Sequence, residues 1–346
     1  MIRIIQLNLN HCKAARSLLS QAIREQRMNV AIVCDKYKNL DPPYTRLADA
    51  NSQTAIWVQG DSLAQEHPAR ARPFFTWARI SGIYFFSVYA PPRLADEELS
   101  ALLTNITEEA RGKRPLMIAD DFQAWSMEWG CRATRQRATT LLDALALLED
   151  VLLNTGNTPT FTGALGYSVV DLTFASDTLA SQVTSWAVSE LYTHSDHQAI
   201  VFEIEIAGPP GPTTRQSCKW NARSLYAECL TAMMAGAAVP TGSAEEMAAR
   251  LMAAITSARD ASMTKVGERR RRDAVYWWTS EIANLRCSCL RARRLAQRAR
   301  GRPNEGASQA SYTSARRLLR AAIKMSKHLC SNKLCDEVNE DIWGKP

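Results

Sequence analysis

The chain has 346 residues, 46% of them hydrophobic, which suffices to bury a sizeable core and suits about two domains. No apolar run approaches the ~18 residues a membrane span needs; the richest, LLDALALLEDVLL at 141–153, is broken by Asp143, Glu149 and Asp150. The net charge of +7 hides an asymmetry: residues 1–207 hold 18 Lys and Arg against 23 Asp and Glu, whereas residues 208–346 hold 24 against 12, so two regions with different tasks are expected.

Taken in chain order, short β-like runs recur through the first two hundred residues: IRIIQLNL, NVAIVC, TAIWVQ, IYFFSVYA, PLMIA, VVDLTFA and AIVFEIEI. Helical patterns lie between them, AARSLLSQAIREQ and EELSALLTNITEEA, with apolar residues at steps of three and four. That mixture predicts an α/β layered domain in which helices cover sheets. The amino end, MIRIIQLNLN, lacks the basic start, long apolar run and cleavage site of a signal peptide. Nine cysteines, odd in number and unpatterned, suit reduced thiols in the cytosol or nucleus; Cys287, Cys289, His328, Cys330 and Cys335 fit no common zinc-finger spacing.

Pro and Gly in AGPPGPTTR break any regular element and mark a linker at 207–220. Beyond it the β pattern vanishes, and residues 243–263, 273–300 and 308–340 read as helices. Residues 265–327 carry 17 basic side chains and 4 acidic ones. A solvated helix face is the ordinary meaning of such a run, yet this excess, with Tyr276, Trp277 and Trp278 beside Arg269, Arg270, Arg271 and Arg272, fits phosphate binding. Arg291, Arg293 and Arg294 extend the basic set. The Trp pair reads equally as a packing anchor.

Polar residues sit where the first region's strands end: Asn8 and Asn10, Asp35, Tyr89, Asp121, Asp171, and Asp196 with His197. Singly, each has a bland explanation, since Asn and Asp favour turns and a lone His is usually structural. Converging at one rim, their carboxylate and amide oxygens suit a hard cation such as Mg2+, which keeps waters and phosphate oxygens as further ligands. The chemistry that follows is metal-assisted phosphodiester hydrolysis.

The ordered series QLNLNH, CDKY, SVYAPP, ADDFQAW, SVVDLTFAS and HSDHQAI resembles the endonuclease/exonuclease/phosphatase superfamily. Within it, the series is most similar to the endonucleases of LINE-type (non-LTR) retrotransposons, in particular insect elements that insert in ribosomal RNA genes or telomeric repeats. The resemblance implies a four-layered α/β/β/α sandwich of two mixed sheets over residues 1–206, then a basic, mostly helical connector over 221–346 of the kind that leads into a reverse transcriptase. The polymerase motif of an aromatic residue followed by Ala-Asp-Asp is missing from the chain.

By resemblance, Asn8, Asp35 and Asp196, supported by Asn10, hold Mg2+, for which Mn2+ can substitute. Tyr89 contacts phosphate, Asp121 activates water or protonates the leaving oxygen, and Asp171 orients His197. Gln123 stands where the family has Asn, Asp35 where it has Glu, and Asp120 where Gly is usual. The implied partners are target DNA, template RNA and a reverse transcriptase domain, with action on chromosomal DNA in the nucleus and no membrane. Three activities are consistent with this pattern: a nicking DNA endonuclease whose rate Asp35 and Gln123 reduce, a catalytically weak nucleic-acid-binding remnant of such an element, and a phosphatase of the same superfamily.

Overall fold

The first strand shows how the layers are built. In β1 (Ile2–Asn8), Ile2 and Ile4 enter one core and Ile5 and Leu7 another, because successive strand side chains point to opposite faces. The computed structural model describes residues 1–36, 45–59, 64–163, 166–205, 226–235, 243–262 and 274–340.

Along the chain, β1 is followed by α1 (Lys13–Gln26), β2 (Val30–Cys34), β3 (Thr45–Ala48), β4 (Thr54–Val58), β5 (Ala64–Glu66), β6 (Phe75–Ile80) and β7 (Ile83–Tyr89). Then come α2 (Asp96–Ala110), β8 (Leu116–Asp121), α3 (Gln136–Ala146), β9 (Asp150–Leu152) and the hairpin β10 (Phe161–Gly163) with β11 (Gly166–Ser168). The layered part closes with β12 (Asp171–Ser176), α4 (Asp177–Ala180), β13 (Val183–Val188) and β14 (Ile200–Ile204).

These strands form two six-stranded sheets, ordered β13-β14-β1-β2-β4-β3 and β5-β6-β7-β8-β12-β9. Each is mixed: its central pair, β1 with β2 or β7 with β8, is parallel, and the remaining pairs are antiparallel. A helix bridges each parallel pair, α1 in the first sheet and α2 in the second, as parallel strands require. The α2 helix starts where Glu98 accepts the Ala95 N–H at 2.9 Å, with Asp96, Glu97 and Glu98 against the positive end of the helix dipole.

Three apolar cores separate the layers. Ile4, Ile32 and Ile56 of the first sheet meet Phe85, Met117 and Ala175 of the second between the sheets. Leu18's neighbours Ala15, Leu19 and Ile23 pack α1 on the outer face of the first sheet, while Leu99, Leu103, Ile106 and Leu141 pack α2 and α3 on the outer face of the second. Each fully buried aliphatic side chain contributes ~1.5–3 kcal/mol. The expected α/β/β/α sandwich is thus the observed architecture, with β3, β5, β6, β9 and β13 as strands that the apolar runs did not single out.

Contacts divide the chain into one unit of Met1–Ile206 with Asp273–Pro346 and another of Ala207–Arg272. In the first, α7 (Ser280–Ala299) begins where Thr279 Oγ1 accepts the Ile282 N–H at 3.2 Å, seven residues later than the apolar pattern suggested. The following α8 (Glu305–Glu340) packs along α7, and Trp277, Ile282, Cys289, Leu319 and Ile323 form a fourth core with Ala14 and Leu18 of α1 and Tyr192. Trp277 is therefore spent on packing, whereas Tyr276 is exposed. The second unit contains α5 (Ala227–Ala235) and α6 (Ala244–Ser262), joined where Tyr226 N donates to Ser262 O at 2.9 Å. The expected linker at 207–220 lies outside the described residues. No described helix is long and apolar enough to cross a membrane.

Candidate active site

Strand direction gathers the polar strand ends. Parallel strands β1, β2, β7 and β8 finish at Asn8, Cys34, Tyr89 and Asp121, and antiparallel β12 begins at Asp171, directly opposite Asp121. Residues 195–197 precede β14, which runs antiparallel to β1, so they arrive at the same edge. Backbone strain concentrates there too: Asn10, His11, Asp35, Asp120 and Gln123 all have φ between 46° and 114°. Such left-handed residues are uncommon and tend to cluster at functional sites.

Asp121, Asp171 and His197 form the centre, each offering an atom within 4.8 Å of the others. His197 Nδ1 lies 2.8 Å from Asp171 Oδ2 and 3.1 Å from Oδ1, leaving Nε2 without a hydrogen-bond partner among the described residues. Asp121 Oδ2 accepts from Asn8 Nδ2 and Gln123 Nε2, both at 2.8 Å, and its Oδ1 accepts from Gln123 N at 3.0 Å. The longer Gln123 side chain thus curls back onto Asp121. Asn8 itself is fixed from two sides, with Asn10 N donating to its Oδ1 at 2.7 Å and Ser195 Oγ to its carbonyl at 2.7 Å.

Burial and mutual repulsion set the charges. For His197, burial opposes protonation, but the Asp171 carboxylate overrides it and the imidazole rises to about 9, so it is a cation at neutral pH. Burial and the nearby Asp171 charge push Asp121 up to about 6, a value suited to proton transfer near neutrality. Burial, and then Asp171, push Asp120 well above the ordinary carboxylate range. Burial also raises Asp35 and, with the Asp35 charge, raises the Tyr89 phenol, which stays protonated.

Buried carboxylates at Asp35, Asp121 and Asp171 thus outnumber the single imidazolium, and Asn8 adds an amide oxygen. This oxygen-rich, electron-rich donor set fits a divalent cation of the hard class. Asp35 Oδ1 is 2.8 Å from His11 Nε2, a neighbour that the strand-end pattern did not single out. Asn10 and Asp196 form an outer pair, with Asn10 Nδ2 donating to Asp196 Oδ2 at 3.2 Å and Arg316 Nη1 standing 3.1 Å from Oδ1.

Two further supports carry no motif. Arg137 of α3 donates to the carbonyls of Phe122, Ala90 and Pro91, pinning the loops after β7 and β8. Thr160 Oγ1 accepts the backbone N–H groups of Val170 and Asp171, holding the start of β12. Of the basic set, Arg269, Arg270, Arg271 and Arg272 lie outside the described residues. Arg291 is exposed, Arg294 pairs with Glu190 at 2.7 Å, and Arg293 is buried over the Tyr192 ring.

Residues 83–201 match the family model for endonuclease-reverse transcriptase. The endonuclease domain of TRAS1, a telomere-specific non-LTR retrotransposon, superposes with a TM-score of 0.55 at 24% identity, over 60% of this chain and all of that one. The two sheets and their covering helices have the fold of that endonuclease domain. The 3′ phosphatase NExo from Neisseria, bound to a product DNA hairpin, is similar at 13% identity and a TM-score of 0.48, over 60% of this chain and all of that one. No curated protein matches the sequence. Across these sheets the six motifs meet at one rim, each through at least one described residue: Asn8, Cys34, Tyr89, Asp121, Asp171 and Ser195.

Proposed function

We propose that this chain is a magnesium-dependent DNA endonuclease of a non-LTR retrotransposon, nicking one strand to leave a 3′-hydroxyl for target-primed reverse transcription in the nucleus. The observation that carries the reading is the placement of an Asp171-held imidazolium beside Asp121, two groups whose environments drive their pKa values to about 9 and about 6. One can give charge to the phosphate while the other handles the proton. The family match to endonuclease-reverse transcriptase supports the retrotransposon origin.

Asn8 and Asp35 would hold the cation, with Asp196 and Asn10 at the outer edge, and the bound cation supplies Lewis-acid stabilisation of a phosphate oxygen. His197 stabilises charge on the scissile phosphate through Nε2, and Asp121 moves the proton of the attacking water or leaving oxygen. Tyr89, protonated at the end of β7, donates to a phosphate oxygen. Asp35 is one methylene shorter than the family's Glu and shares its carboxylate with His11 at 2.8 Å, which weakens its hold on the cation and lowers the rate.

The test is plasmid nicking in Mg2+, with Mn2+ in a parallel arm. Relaxed circles whose nicks a polymerase can extend are expected, abolished by chelation and by Asp121→Ala or His197→Ala. Wild-type protein that binds DNA but never relaxes it would overturn the reading in favour of a binding remnant, and release of phosphate from 3′-phosphorylated ends without nicking would favour a phosphatase.

A further inference from the structure

Beside the catalytic rim lies a cavity of about 370 Å³ that the six motifs do not account for. One wall is the rim itself, including Asp196, and the other is the α7–α8 hairpin, which contributes Arg293, Arg300 and Arg316. Arg293 is only 8% exposed; its Nη2 donates to Gln198 at 3.0 Å, but its Nε is buried with no hydrogen-bond partner, and it forms no ion pair among the described residues. A buried guanidinium without an anion is costly. Arg300 reaches from the end of α7 to the Gly163 carbonyl at 2.8 Å, and Arg316 holds Asp196 and the His194 carbonyl. Glu305, the other acid on the lining, is turned to the Gly301 N–H at 2.7 Å.

The cationic line continues past the cavity. Arg316, Arg320 and Lys324 recur every four residues on one face of α8, and the latter two line a second groove of about 390 Å³ against His11 and Lys13, on the Asp35 side of the rim. Arg320 and Lys324 are exposed and form no ion pair among the described residues. Eight helical residues span ~12 Å, the length of ~3–4 base pairs of backbone.

We propose that the α7–α8 hairpin forms a phosphate clamp: the Arg293–Arg300–Arg316 cavity and the Arg320–Lys324 groove bind backbone phosphates of the DNA strand on either side of the scissile position. This rests on the endonuclease reading for its substrate, although binding can be measured without cleavage. The fork-shaped guanidinium suits a phosphate bidentately, and the spacing suits a continuous strand better than an isolated anion.

Full-length protein is titrated by anisotropy against a short fluorescein-labelled duplex, without divalent cation, over a range of KCl. Arg300→Ala, Gln297→Glu in the cavity wall, and Arg320→Ala with Lys324→Ala are each expected to weaken binding roughly three- to tenfold. Each lost phosphate contact lowers the slope of log affinity against log salt by ~0.9. A single uncharged methylphosphonate should weaken wild-type binding at one position beside the nick site, and that penalty should vanish in Arg300→Ala. In nicking, KM rises while kcat holds. Unchanged affinity and slope in all three variants would overturn the clamp, as would a mononucleotide or inorganic phosphate competing as well as the duplex. If wild-type protein fails to nick yet the variants show these binding losses, the endonuclease reading falls and the clamp stands; nicking by wild type with unaltered binding in the variants reverses that outcome.

Discussion

Asn8 Nδ2 donates to Asp121 Oδ2 at 2.8 Å, tying the end of the first sheet's central strand to the end of the second sheet's. The contact joins two sheets whose other meeting points are largely apolar, so it fixes the separation of the catalytic groups as well as the charge on one of them.

Asn8→Ala should therefore cost more than one hydrogen bond. Nicking is expected to fall ~10²-fold or more, the scale of general acid–base contributions, while circular dichroism and the melting transition show a folded protein. Retention of wild-type rates would deny Asn8 a part in the site.

The pH profile of nicking should be bell-shaped. Asp121 is ionised above about 6 and His197 is protonated below about 9, so both are in their working states between those values. Activity rises with pH through the first and falls through the second, with a bound cation drawing both limbs to lower pH. In His197→Gln the alkaline limb should disappear; its persistence would assign that limb elsewhere.

Gln123 supplies two of the three donors on Asp121 and so lowers its pKa against the effect of burial. Gln123→Asn keeps the backbone donor but shortens the side chain past reach of Oδ2. The acidic limb should move to higher pH, and the rate at pH 6 should drop roughly tenfold. A profile superimposable on wild type would show that the contact carries no weight.

Asp120 is fully buried with φ 114°, and its carboxylate has only the weakly donating Cys34 thiol beside it. Asp120→Gly relieves both the backbone strain and the buried acid, and should stabilise the fold by ~1–3 kcal/mol in chemical denaturation. Because the folded carboxyl lies above its unfolded value, Asp120's own contribution to stability should be greatest below pH ~4 and decline as pH rises from there, a slope read as the difference between wild type and Asp120→Gly. Asp120→Asn separates the causes: it keeps the strain but should flatten that slope.

The nearly continuous apolar runs IRIIQLNL and IYFFSVYA were readable because both faces of each strand are covered, and the motifs at their ends were readable because strand ends are where chemistry collects. The strand β6 was not, since Thr76 and Arg79 interrupt its apolar run. Nor could spacing reveal that Arg137, Thr160 and His11 support the site, because each acts through partners distant in sequence. The basic helices were legible as charge, but their side chains' separate fates, Arg293 buried and Arg294 paired on the surface, depend on which face meets Tyr192 and Glu190.

The fourth core, in which Trp277, Leu319 and Ile323 share α1 with the first sheet, makes the heritable module larger than the motif-bearing segment. A recombination event that exchanged residues 1–206 alone between related genes would leave Leu18 and Tyr192 facing a foreign hairpin. The sheets and the hairpin are thus expected to be inherited together, with sequence change in α1 answered by change in α7 and α8.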